Sequence, residues 1–262
     1  MTHPDSHWPE AVETLNEHGR APVVLLCEHA SNFIPAEYSG LGLTPPDLQR
    51  HIAWDIGAAS VTRRLSSLLD APAFLGNYSR LLIDLNRPLH THSSIVTRSE
   101  ATDIPGNASL TQAERARRTA RIFTPFHEAV EQHLARRAAA GRASVIVAVH
   151  SFTPSFQGTP REWHAGILYD KAQAFAFATI DRLRQSGHGL KVDANVPYTV
   201  SPDEDYGLLV YGDNVGNPAI LVEIRQDLLL RQEDQHAWAE KLATTLAVDV
   251  ALGQSAQIRA LR

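Results

Sequence analysis

The sequence has little cysteine and no long apolar stretch. Its single cysteine, Cys27, cannot form an intramolecular disulfide bond, which favours a reduced protein. The first residues lack the basic region and apolar core of a secretory signal. The longest apolar runs, such as Val145–Val149, are far shorter than the roughly 20 residues that a membrane helix needs. We therefore expect a cytoplasmic chain that has no membrane partner.

An excess of positive charge is also missing. The 24 Lys and Arg residues against 29 Asp and Glu residues give a formal net charge of -5, so no global positive field attracts a nucleic-acid backbone. The chain contains no P-loop, no Gly-x-Gly-x-x-Gly fingerprint and no Cys-x-x-Cys motif, which removes the usual nucleotide-binding and redox functions. Ser31 and Ser151 each lie near a histidine, but neither lies in a Gly-x-Ser-x-Gly elbow. A serine nucleophile is therefore disfavoured.

Short apolar runs alternate with longer helical patterns, which predicts an α/β fold with a mixed, mostly parallel sheet flanked by helices. Strands are predicted at 22–27, 73–75, 81–83, 144–149, 164–169, 192–196 and 219–224, and helices at 46–69, 111 to about 140, 172–184 and 233–252. Thr111 followed by Glu114 is a capping-box signal for the second helix. The arginines of that helix, Arg118 and Arg137 among them, are expected on a solvated face.

The chain shows no internal repeat, low-complexity linker or break in composition. We therefore expect a single domain over residues 1–262, with a core at about 20–252 and an N-terminal extension at 1–19. The segment from 90 to 110 lacks periodicity and is predicted to be a long loop, of the kind that is more often functional than decorative.

Polar residues directly follow several predicted strands, which is where open α/β sheets bind ligands. His29 and His150 each come after an apolar run, and Asp55 is a carboxylate that would complete a set of three zinc ligands. The chain has 13 histidines, so a pair arises easily by chance. Each histidine taken alone is more often a hydrogen-bonded residue of a turn. The residues alone leave both interpretations open.

Glu223 lies inside an apolar run, where an unpaired carboxylate is costly to desolvate. An ion pair with Arg225 is awkward, because residues two apart on a strand share one face. Burial would raise the pKa of the Glu223 carboxyl and suit it to move a proton between a water molecule and a leaving amine. A structural ion-pair network is the alternative.

A cluster of basic and amide side chains follows another predicted strand. Arg80, Asn86 and Arg87 offer paired hydrogen bonds to a carboxylate, and Asp84 would hold one of the arginines in place. The competing interpretation is a surface loop with solvated charges.

Five blocks taken together resemble the N-formylglutamate amidohydrolase family, in order and over most of the chain. The blocks are Leu26–Asn32, Trp54–Ala58, Ser79–Arg87, Val149–Pro154 and Val222–Leu228. The resemblance implies a phosphorylase/hydrolase-like fold, distantly similar to zinc carboxypeptidases and aspartoacylase. It also implies a zinc-bound water that cleaves an amide, with other divalent metals as alternatives to Zn²⁺.

The resemblance also implies roles for individual residues. His29, Asp55 and His150 would be the metal ligands and Glu223 the general base. Asn32 occupies the position where zinc carboxypeptidases place a carboxylate ligand, so Glu28 is an alternative to Asp55.

The remaining implied roles concern the substrate. Arg80 would polarise the scissile carbonyl or bind a second carboxylate, and Asn86 and Arg87 would anchor the α-carboxylate. Ser151 and Arg225 are further candidate substrate contacts.

The expected function is therefore zinc-dependent cleavage of the N-formyl or N-acyl amide of an acidic amino acid such as N-formyl-L-glutamate, as in histidine degradation. The expected partner is that small molecule. Two alternatives stay open: an amidase acting on a peptide or cell-wall amide, and a metal-free carboxylate-binding protein on the same fold. Metal content separates the second alternative from the enzymes.

Overall fold

The structure is a computed structural model that describes residues 8–187 and 189–260, with side chains through residue 247. Most of the predicted N-terminal extension lies within this part, but residues 1–7 lie outside it. The strands in chain order are β1 (Val12–Leu15), β2 (Val23–Cys27), β3 (Ala73–Gly76), β4 (Arg98–Ser99), β5 (Thr102–Asp103), β6 (Val145–Phe152), β7 (Ser155–Phe156), β8 (Thr159–Pro160), β9 (Ala165–Leu168), β10 (Val192–Ala194) and β11 (Ala219–Arg225).

Seven of these strands form one mixed sheet in the order β1-β3-β2-β6-β11-β9-β10, and the other four form two small hairpins. The pairs β3/β2, β2/β6, β6/β11 and β9/β10 are parallel, whereas β1/β3 and β11/β9 are antiparallel. The predicted mixed, mostly parallel sheet is thus confirmed. The central strands β2 and β6 are almost wholly buried, as their continuous apolar runs require.

Helices cover both faces of the sheet. They are α1 (Ala58–Leu69), α2 (Gln112–Arg118), α3 (Thr124–Ala139), α4 (Gln173–Gln185) and α5 (Gln232–Ala260). One apolar core lies between the sheet and α1, α4 and α5, and a second lies on the opposite face with α3. Among the described residues, no helix is long and apolar enough to cross a membrane.

The helix predicted at 46–69 begins only at Ala58, so the first half of that prediction is wrong. Gly57 precedes it in the left-handed conformation, with φ +84°, and a side chain there would place its Cβ 2.5 Å from Cβ of Leu229. The chain before Gly57 forms turns instead, and these carry Asp55 back to the end of β2, where its N–H donates to the carbonyl of His29 at 3.0 Å.

The predicted strand at 81–83 is also wrong, although its residues are buried. Side chains bind its backbone in place of a neighbouring strand. Asn107 donates to the carbonyl of Leu81 at 2.8 Å, and Arg118 donates to that of Leu82 at 2.9 Å. Arg118 is therefore buried, and so is Arg137, which corrects the expectation that both lie on a solvated face. The segment that Arg118 fixes leads directly into Asp84.

The predicted helix from 111 to about 140 consists of α2, a π-helical turn at Thr119–Phe123 and α3. The predicted cap at Thr111 is confirmed, since its hydroxyl accepts a hydrogen bond from the backbone N–H of Glu114 at 3.1 Å. The Glu114 side chain contacts Tyr38 and Arg118. The predicted loop at 90–110 contains two short 3₁₀ turns and the β4–β5 hairpin.

Candidate active site

Two histidines and one aspartate meet at the carboxyl end of the central strands. Oδ2 of Asp55 lies 3.4 Å from Nδ1 of His29 and 3.0 Å from Nδ1 of His150. One ligand atom from each of the three residues lies within 4.8 Å of the others, and all three side chains are buried. His29 follows β2, His150 lies in β6, and the turn before α1 supplies Asp55. The sheet thus brings together residues that are far apart in the sequence.

Asp55 is held in this position by the next residue of β6. The backbone N–H of Ser151 donates to Oδ2 of Asp55 at 3.2 Å, and the Ser151 hydroxyl donates to the carbonyl of Ile56 at 2.9 Å. Burial alone would raise the pKa of the Asp55 carboxyl, but the two adjacent imidazoles hold it well below its usual range. Asp55 therefore carries a negative charge between two imidazole nitrogens.

The other nitrogen of each imidazole contacts a second buried carboxylate. Nε2 of His29 lies 2.6 Å from Oδ1 of Asp84, and Nε2 of His150 lies 3.0 Å from Oε2 of Glu28. Carboxylates in this outer position orient histidine ligands and increase their basicity at metal sites. Glu28 thus contacts Nε2 of His150, whereas Asp55 lies between the Nδ1 atoms of His29 and His150.

The donor set fits a divalent cation that accepts nitrogen and oxygen ligands, such as Zn²⁺. Two Nδ1 atoms and a carboxylate oxygen converge, and two further carboxylates orient the rings. The environment also attracts positive charge. Burial alone would lower the pKa of His150, but hydrogen bonds to Asp55 and Glu28 raise it well above its usual value. Asn32 lies outside this set, since its amide donates to the carbonyl of Leu48 at 2.9 Å.

Glu223 lies beside His150, on the adjacent strand β11. The residue is 6 % exposed, and its Oε2 has no hydrogen-bond partner among the described residues. Burial raises the pKa of the Glu223 carboxyl to about 8. The ion pair with Arg225 that the sequence leaves open is not formed, because Arg225 binds Asp227 with Nε at 2.8 Å from Oδ1. A buried carboxyl without a fixed partner is suited to accept and return a proton.

Arg80 joins the two carboxylates that flank His29. Its Nε and Nη2 donate to Oδ2 of Asp84 at 2.9 and 2.7 Å, and its Nη1 lies 3.6 Å from Oδ1 of Asp55. Although burial alone would lower the pKa of Arg80, Asp84 and Asp55 raise it. The arginine is therefore charged and held rigidly at the cavity wall.

The site surrounds a cavity of about 580 Å³, which is lined by His29, Asp55, Arg80, His150 and Glu223 among others. The segment 197–207, which we call the strap, contributes further residues to the cavity wall. The strap residues that line the cavity are Pro197, Tyr198, Thr199, Ser201, Glu204 and Asp205. Asn86 anchors the far end of the strap, since its Oδ1 accepts hydrogen bonds from the backbone N–H groups of Tyr206 and Gly207 at 3.0 and 3.1 Å.

The predicted substrate-binding residues divide into two groups. Asn86, Arg87 and Ser151 line the cavity together with Arg80. Arg225 is not among the lining residues, and its Nη1 donates to the backbone carbonyl of Arg161 at 3.2 Å. Arg225 thus supports the loop beyond the hairpin β7–β8.

Sequence reasoning missed the strap residues. Tyr198 and Glu204 line the cavity, and Nη1 of Arg161 donates to the hydroxyl of Tyr198 at 2.9 Å. Arg161 also lies over the rings of Phe156 and Tyr198, at 4.8 and 4.7 Å from their centroids. The one available signal was the polar composition of the loop after β10, which does not show what that loop covers.

Comparisons with known proteins agree with this architecture. The family model of N-formylglutamate amidohydrolase matches residues 21–230. The crystal structure of a gene product from Agrobacterium tumefaciens is 38% identical, covers 94% of this chain and 96% of its own, and superposes with a TM-score of 0.89. The crystal structure of N-formylglutamate amidohydrolase from Ralstonia eutropha JMP134 is 18% identical in sequence. The match covers 94% of this chain and 99% of that one, and the two share the same fold with a TM-score of 0.73. No curated protein matches the chain. The chain belongs to the N-formylglutamate amidohydrolase family and is an amidohydrolase.

Proposed function

We propose that this chain is a zinc-dependent amidohydrolase that cleaves the N-formyl amide of an acidic amino acid such as N-formyl-L-glutamate. One observation carries the proposal: the His29, Asp55 and His150 donors and the buried Glu223 carboxyl line the same cavity. A zinc ion held by these three residues supplies Lewis acidity, which activates water near neutral pH and polarises the scissile carbonyl. Other divalent ions suit the same donors.

Glu223 is the proposed proton carrier. Its unpartnered Oε2 accepts a proton from water as the water oxygen bonds to the formyl carbon. The same carboxyl then gives the proton to the amide nitrogen as the C–N bond breaks, which releases formate and the free amino acid. The raised pKa makes the ionised Glu223 carboxylate a stronger base than an exposed glutamate, which favours the first transfer.

Arg80 and Arg87 are the proposed contacts to the substrate. Asp84 binds two nitrogens of Arg80 and Asp55 lies 3.6 Å from the third. The charged guanidinium lines the cavity and is the proposed group that stabilises negative charge on the scissile carbonyl oxygen. Arg87 also lines the cavity, and its guanidinium is the proposed anchor for the α-carboxylate. Asn86 maintains the wall beside it by binding the end of the strap.

Formate release from a panel of N-acyl amino acids tests this proposal. N-formyl-L-glutamate should be hydrolysed faster than N-formyl-L-leucine, because the proposed substrate is acidic. Hydrolysis of N-acetyl-L-glutamate, measured as release of the free amine, reports the preference for the acyl group. A purified, zinc-reconstituted protein that hydrolyses no member of the panel contradicts the proposed substrate class. The cytoplasmic location and a place in histidine degradation stay predictions.

A further inference from the structure

Arg87 already holds a carboxylate of the chain itself inside the cavity. Its Nε lies 2.7 Å from Oε2 of Glu204, and its Nη1 donates to the backbone carbonyl oxygens of Glu204 and, at 3.2 Å, of Asn86. Both Arg87 and Glu204 line the cavity. The guanidinium that is proposed to bind the substrate is thus already paired with a carboxylate of the chain.

The two partners differ in how firmly they are held. The Arg87 side chain is 19 % exposed, whereas that of Glu204 is 53 % exposed. Glu204 can therefore leave the pair by moving into water, where its charge is solvated at little cost. Arg87 stays at the cavity wall, with its charge available to another carboxylate.

The backbone on either side of Glu204 is fixed. Oδ2 of Asp205 accepts a hydrogen bond from the backbone N–H of Ser201 at 2.9 Å, and Asn86 binds the N–H groups of Tyr206 and Gly207. Release of Glu204 from Arg87 therefore requires rotation of one side chain and no opening of the strap.

We propose that Glu204 is a specificity-determining residue that competes with the substrate carboxylate for Arg87. The inference rests on the proposed function, since it takes Arg87 as the substrate anchor. A ligand that places a carboxylate at Arg87 must displace Glu204, so its affinity is lowered. The amino-acid product carries the same carboxylate, and the exchange lowers its affinity as well. A ligand that has an amide at this position does not displace Glu204 and gains nothing when Glu204 is removed.

Glu204→Gln tests the competition, with Asp203→Asn as the matched control. Asp203 is an exposed acid on the same strap, and its carboxylate lies 3.8 Å from His90. We expect Glu204→Gln to lower KM for N-formyl-L-glutamate by about two- to fivefold, the range of a partly exposed ion pair, with kcat changed by less than about 1.5-fold. KM for the α-amide of N-formyl-L-glutamate should stay unchanged, and Asp203→Asn should match the wild type with both compounds.

An unchanged or raised KM for N-formyl-L-glutamate in Glu204→Gln would overturn the proposal. A raised KM would mean that the ion pair keeps the strap over a bound substrate. Calorimetric titration with acetate, a bare carboxylate, tests the same exchange without turnover. Glu204→Gln should bind acetate more tightly than the wild type, and equal binding overturns the proposal. A wild type that does not hydrolyse N-formyl-L-glutamate contradicts the proposed function instead, and the acetate titration still decides the role of Glu204.

Discussion

Glu223 lies directly opposite His150 in the register of the parallel strands β11 and β6. Because side chains of paired residues in neighbouring strands lie on the same face of a sheet, this register places the Glu223 carboxyl beside the proposed metal ligands. The register thus brings a carboxyl buried in an apolar strand to the proposed metal site.

Glu223→Gln is expected to remove activity and to leave the metal site intact. The amide has nearly the same size as the carboxyl but cannot accept a proton from water, so hydrolysis should fall by about 10²- to 10⁴-fold. Zinc content and the midpoint of thermal unfolding should stay near the wild-type values. Glu233→Gln, on the exposed start of α5, serves as the control. A Glu223→Gln protein with close to wild-type activity would exclude Glu223 as the proton carrier.

Glu28→Gln is expected to weaken metal binding without abolishing it. Oε2 of Glu28 contacts Nε2 of His150, and loss of such an outer carboxylate reduces metal affinity by about 10- to 100-fold. Zinc affinity can be measured by competition with a chelator. Glu17→Gln removes an exposed carboxylate that pairs with Arg136 and is the control. An unchanged affinity would contradict the orienting role, and complete loss of zinc would make Glu28 a ligand.

Gly207→Ala tests how closely the strap end packs against Glu28. A Cβ at this position would lie 2.5 Å from Oε1 of Glu28, so either the carboxylate or the backbone that Asn86 holds must move. We expect lower activity and lower zinc affinity. Gly187→Ala is the control, because the three atoms nearest to its Cβ all belong to the side chains of Leu190 and Lys241, the closest being Cδ1 of Leu190 at 3.1 Å. If Gly207→Ala behaves like Gly187→Ala in both assays, the close packing has no functional role.

Acid should destabilise the fold in part through His127. This side chain is buried and forms a hydrogen bond with the Tyr211 hydroxyl. Burial lowers the pKa of His127 from 6.5 to about 4. Between these values the unfolded chain takes up a proton that the folded chain does not, so the free energy of unfolding falls as the pH falls.

The contribution of His127 can be measured by urea unfolding at pH 7 and pH 5. The loss of stability between the two values should be smaller in His127→Gln than in the wild type, by up to about 2 kcal/mol. Both proteins contain the same other titratable groups, so the contributions of those groups to the loss of stability cancel in the comparison. An equal loss in both proteins would show that His127 is protonated in the folded state at pH 5.

The sequence predicted the sheet well where apolar runs are continuous. Strand β11 was predicted to within one residue of its end, because strands buried on both faces must be apolar throughout. Strand β6 was predicted at 144–149 but continues through the polar residues His150 and Ser151 to Phe152. The same rule failed at 81–83. That run is also buried, but the side chains of Asn107 and Arg118 bind its backbone. Hydrogen bonds of this kind depend on residues distant in sequence and leave no periodic signal.

The candidate site was predictable to a similar extent. His29, His150 and Glu223 stand out because each is a polar residue within or directly after a strongly apolar run. Glu204 has no such signal, since it lies in a polar loop and its pairing with Arg87 joins residues 117 positions apart. Such a contact follows only from the folded arrangement of the strap.

The central claim, a catalytic metal held by His29, Asp55 and His150, is tested most directly by metal analysis of the purified chain beside a His29→Ala/His150→Ala variant. His90→Ala/His92→Ala, with both substitutions in the exposed loop, is the matched control. The wild type and the control should contain about one zinc per chain and release formate from N-formyl-L-glutamate, whereas the His29/His150 variant should lose both the zinc and the activity. A wild type that binds no metal even with excess zinc, or a His29/His150 variant that keeps its metal, would contradict the claim.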